Sequence, residues 1–152
     1  KIKRILGQTI HIRTKSPELI TIITSENIEA TFVCHPFPPL KPVINTESIP
    51  LFHLYDLAAN KAYTLGRRPA WRDYVDLFVF MKWKICPIDT IISLAEKKFG
   101  GEFNAKLFLE QLTYFDDIDT VETAFLKESY QPLEIKEFLG KCVREYLKKV
   151  FV

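Results

Sequence analysis

The chain has 152 residues, of which 47% are hydrophobic and 26% charged, the balance of an ordinary globular domain; disorder, collagen and coiled coil are excluded. A net charge of +2 is too mild to argue for nucleic-acid binding by bulk electrostatics. No run of eighteen apolar residues lacks a charge and no leader pattern opens the chain, so the expectation is a cytoplasmic protein without a membrane partner.

The first third reads as antiparallel strands. Residues 9–14 alternate, with Ile10 and Ile12 on one face and His11 and Arg13 on the other, while residues 19–24 and 28–34 are rich in Ile, Thr, Val and Phe. Ser16-Pro17 and Glu26-Asn27 are the turn signals between them. From His35 to Pro50 the composition changes, with Pro36, Pro38, Pro39, Pro42 and Pro50 forming a stiff connector. Beyond it the period becomes helical. Helices are predicted over 56–65, closed by Gly66, over 71–83 and over 87–98, closed by Gly100-Gly101. Two more follow, over 104–114 and from Pro132 onward. The helix over 71–83 is apolar almost all round and is expected to be the core of this half. The reading is an α+β fold: residues 1–50 as strands and connector, residues 51–152 as a helical domain.

Three cysteines far apart, Cys34, Cys86 and Cys142, fit reduced thiols, and His11, His35 and His53 have no ligand-like spacing. Basic clusters fall at Lys1, Lys3 and Arg4, at Arg67, Arg68 and Arg72, and at Lys141, Arg144, Lys148 and Lys149. The stretch that gathers most charge beside apolar residues is 56–77, which sets Lys61, Arg67, Arg68 and Arg72 against Asp56, Asp73 and Asp76. Charges close to a core are costly unless paired, so these are expected to contact one another or a ligand. Asp73 and Asp76 have a simpler role open to them, complementing the N-terminus of the buried helix. Lys61 is flanked by Ala58, Ala59 and Ala62, small enough to admit a phosphate; it also suits a surface lysine lying along apolar neighbours.

The same stretch resembles the C-terminal signature of the AbiEii/AbiGii-type toxin nucleotidyltransferases, within the DNA polymerase β-like nucleotidyltransferase superfamily. The residues that carry the resemblance are Asp56-Leu57-Ala58-Ala59-Asn60-Lys61, Arg67-Arg68, and Arg72-Asp73-Tyr74-Val75-Asp76-Leu77-Phe78. Leu112-Thr113-Tyr114-Phe115-Asp116-Asp117 and the helix through Glu134, Ile135 and Phe138 support it. The resemblance implies transfer of a nucleoside monophosphate from an NTP to a hydroxyl of RNA (tRNA) or protein, with release of pyrophosphate and with Mg²⁺ as cofactor. It assigns Lys61 to the triphosphate and Asp73 to a catalytic supporting role, with Asp76 beside it. Arg67, Arg68 and Arg72 would bind the triphosphate or the RNA acceptor, and an antitoxin protein is an implied partner.

The chain opens at Lys1 with its single methionine at Met81, which predicts a longer parent whose metal-binding Asp-x-Asp lies upstream, so that no metal ligand is expected in this chain. Thr31 stands where many relatives carry a carboxylate; Glu29, on the same strand face, is the available substitute. Thr31 motivates a second expectation, a nucleotidyltransferase fold retained as an inactive binding or scaffold protein. A third is an RNA-binding module using the basic helix around Lys141.

Overall fold

The computed structural model describes residues 10–121 and 123–150. An antiparallel three-stranded sheet is followed by five helices, an α+β fold. The chain divides into two compact units, residues 1–38 and residues 39–152.

In the first unit β1 (Ile10–Lys15), β2 (Leu19–Thr24) and β3 (Glu29–Val33) form a meander in the order β1-β2-β3. The β2–β3 turn is made by Asn27, whose positive φ of 61° is one that asparagine tolerates. The register pairs Thr21 with Thr31, and their hydroxyls hydrogen-bond at 3.0 Å. The expected alternation in β1 is interrupted: the pairing slips between Ile12 and Thr14, which leaves Arg13 as the extra residue of a bulge. Ile10 is buried and Ile12 exposed, although both precede the bulge and share one strand face. Thr9 and the Lys1, Lys3 and Arg4 cluster lie outside the described residues.

The second unit holds α1 (Leu54–Leu65), α2 (Trp71–Lys82), α3 (Ile88–Phe99), α4 (Ala105–Thr113) and α5 (Pro132–Val150). Helix α1 packs on α2, α3 and α4, and its contact surface is made of Ala58, Ala59, Ala62 and Leu65, all fully buried. Three alanines keep that surface thin and let neighbouring helices approach. The core is completed by Tyr74, Leu77 and Phe78 of α2, Ile91 and Ala95 of α3, Phe108 and Leu112 of α4, and Ile135 and Leu139 of α5. Helix α2 supplies the largest share of these side chains, as its all-round apolar pattern predicts. Gly100 ends α3 at a φ of 54°, a conformation that glycine adopts without steric cost.

The division at Pro38/Pro39 lies earlier than the 50/51 boundary drawn from composition. Its cause is visible in the hydrogen bonds: the Leu40 and Lys41 N–H groups are held by the Asp56 carboxylate of α1, at 2.8 and 3.0 Å. Most of the proline-rich connector is thus part of the helical unit. Among the described residues no helix is long and apolar enough to cross a membrane.

Candidate functional site

Asp73 and Asp76 are one turn apart on α2, so their side chains leave the same helix face. Lys61 of α1 reaches between them: its Nζ lies 2.9 Å from Asp73 Oδ1 and 2.6 Å from Asp76 Oδ2. The two motifs singled out in the sequence therefore converge on one cluster. Asp73 is buried, the Lys61 side chain is 27% exposed and the Asp76 side chain 47%, so the cluster is layered from core to solvent. Helix α2 is not capped by either aspartate: the cap residue is Ala70, with no side-chain hydrogen bond, and Asp73 spends its carboxylate on Lys61.

Burial pushes the Lys61 ammonium toward losing its proton, but the hydrogen bonds and charges of Asp76 and Asp73 outweigh it, and its pKa rises above the usual value of 10.5. One positive and two negative charges leave the cluster at a net −1. Two of the three ammonium N–H donors are used; the third has no partner among the described residues. The neighbouring Asn60 buries its Oδ1 without a hydrogen-bond partner.

The arginines are not gathered with Lys61 in one set. Arg67 hydrogen-bonds Glu102 at 3.1 Å and lies over the Tyr63 ring, 4.3 Å from its centroid. Arg68 and Arg72 are exposed and have no ion-pair partner among the described residues. Arg72 borders a groove of about 650 Å³ lined also by Trp71, Asp117, Ile118 and Asp119. Glu29, in the first unit, is exposed and forms an ion pair with Arg13 at 2.5 Å; Thr31 is engaged with Thr21. On α5, Lys141 pairs with Glu145 at 3.8 Å, whereas Arg144, Lys148 and Lys149 are exposed.

A second charged centre was not assigned a role by the sequence. Asp56, expected from the sequence to contact the charges of residues 56–77 or a ligand, is instead fully buried and bonds Lys98 Nζ at 2.6 Å. Burial pushes its carboxyl up, but the hydrogen bond from Lys98 and those from the Leu40 and Lys41 N–H groups more than offset it, and the pKa falls below 3.8. The signal available in the sequence was Lys98 itself, which occupies the apolar stripe of α3 with Ile91, Ala95 and Phe99.

Among the described residues no three His, Cys, Asp or Glu side chains group as a metal centre. All three cysteines are free thiols.

No family model matches the sequence, and no curated protein matches it. The crystal structure of JHP933 from Helicobacter pylori is similar over 94% of this chain, with 13% identity and a TM-score of 0.41. This chain spans 66% of the length of that one.

Proposed function

We propose that this chain is the C-terminal part of an AbiEii-like, NTP-dependent nucleotidyltransferase. The observation that carries the reading is the convergence of Lys61 with Asp73 and Asp76: the residues quoted for the resemblance meet in space, at the hydrogen-bond distances given above. In this reading Asp73 fixes the lysine, Asp76 is the exposed partner that yields, and the freed ammonium takes a triphosphate oxygen as a point charge. Arg68 and Arg72 are unpaired and available to the triphosphate or an RNA acceptor, while Arg67 is committed to Glu102. Mg²⁺ belongs to the same reading as its implied cofactor. A cytoplasmic location, an RNA (tRNA) acceptor and an antitoxin partner belong to the same proposal.

The test is transfer of label from NTPs labelled at the α-phosphate, in Mg²⁺, by the full-length protein to RNA or to protein. The reading expects label in one acceptor with pyrophosphate released, and loss of both in Asp73→Asn. Thr31 favours a second reading, an inactive binding or scaffold protein: the hydroxyl at the carboxylate position is spent on Thr21. Absence of transfer with retained NTP binding would select it.

A further inference from the structure

Residues 40–53 leave the helical body and return to it around a single charged pair. At one end, the Leu40 and Lys41 N–H groups donate to the two oxygens of Asp56. At the other, the Phe52 ring lies 5.0 Å from Lys98 Nζ, and His53 Nδ1 accepts the Tyr55 N–H to cap α1. Between the ends, Ile44 and Leu51 exchange backbone hydrogen bonds at 2.8 and 2.9 Å, and Thr46 ties the tip by donating to the Ile49 carbonyl at 2.7 Å. The segment is closed on itself, yet residues 41–51 are all exposed, so little apolar burial holds it down.

We propose that Asp56 and Lys98 form a latch, and that residues 40–53 are a strap which opens and closes over it as a unit while the helices stay folded. Asp56 lies on α1 and Lys98 on α3, so the pair survives opening; what changes is its solvation. With the strap closed, both side chains are completely excluded from water. That desolvation is costly for any ion pair. It is offset by two charge-assisted hydrogen bonds from backbone donors and by the Phe52 ring under the ammonium. With the strap open, water replaces all three. The strap is held by these few polar contacts and by little buried apolar area, as segments that open locally are. The sequence permits this only because Leu40 and Lys41 interrupt the prolines: Pro39 and Pro42 on either side have no N–H to donate.

Amide hydrogen exchange of the whole chain, resolved by residue, tests the strap. In the unmodified protein the Leu40, Lys41, Ile44 and Leu51 amides should exchange with one common protection, well below that of the Phe78 and Ile91 amides. In Asp56→Asn, which keeps the shape and loses the charge, the strap amides should exchange about tenfold faster or more, since bonds to a charged acceptor are the stronger kind. The helix amides should change less. Exchange of the strap only together with α2 and α3 would overturn the proposal, as would equal acceleration everywhere in Asp56→Asn or none at Leu40 and Lys41. If that variant does not fold, the comparison within the unmodified protein decides alone.

Discussion

Lys98→Met isolates the buried pair. Methionine keeps the length of the stem among Ile91, Ala95 and Phe99 and deletes the ammonium, leaving Asp56 at zero exposure with only the Leu40 and Lys41 N–H groups. Removing one partner of a buried pair costs about 3–5 kcal/mol because the remaining charge is uncompensated. Two of the three donors to Asp56 remain, and opening of residues 40–53 offers the carboxylate water, so the expected loss is near the lower end, about 3 kcal/mol. For a helical unit of this size that is a fall in melting temperature of roughly 10–15 °C. The assay is urea unfolding at pH 7 followed by tryptophan fluorescence. Both tryptophans serve: Trp71 starts α2 and is buried, and Trp83 follows it and is 46% exposed. Asp56→Asn/Lys98→Met, which removes both charges, should lose less than the sum of the two single variants. A loss under about 1 kcal/mol in Lys98→Met, or strict additivity in the double variant, would refute the reasoning.

Acid should act through the same carboxylate. The folded Asp56 pKa lies below the unfolded value of 3.8, so its contribution is complete above about pH 4 and is lost as pH falls through the folded pKa; acid unfolding of Asp56→Asn should therefore show a shallower dependence below pH 4. Tyr74 is fully buried and donates to the carbonyls of Gln111 and Tyr114, at 3.1 and 3.0 Å. Burial first, with the nearby Asp73 charge, pushes its phenol up to about 12. Ultraviolet titration should find one tyrosine ionising near 12, absent from Tyr74→Phe, which should also lose about 1–2 kcal/mol of stability; an unchanged titration in that variant contradicts the assignment.

The parts of the fold that could be read from the sequence are those decided by local pattern. Helix α2 announces itself because a helix apolar on nearly every side has nowhere to go but the core, and Gly100 and Pro87 bound α3 by their own backbone preferences. The approach of Lys61 to Asp73 and Asp76 was legible as a demand, since charges beside alanines and a buried helix need partners. What was not legible depends on residues distant in sequence. Asp56 meets Lys98 from 42 positions away, and although Lys98 falls in the apolar stripe of α3, nothing local names its partner. Arg67 turns to Glu102, 35 positions on, instead of joining Lys61. The connector misled in another way: prolines signal a linker, but two backbone donors lying among them attach it to α1. In β1 a bulge follows Ile12 at Arg13, and Ile12 is exposed although it shares a face with the buried Ile10; alternation alone foresees neither.

The central claim is that the Lys61 cluster receives the phosphates of a nucleotide. Calorimetric titration of the full-length protein with each NTP in Mg²⁺, repeated with Lys61→Ala and with Arg67→Ala, tests it most directly. The account predicts binding of at least one NTP, weakened about tenfold or more by Lys61→Ala, as expected for a lost charge-assisted contact, and little altered by Arg67→Ala. No binding of any NTP, or binding indifferent to Lys61→Ala, would contradict it.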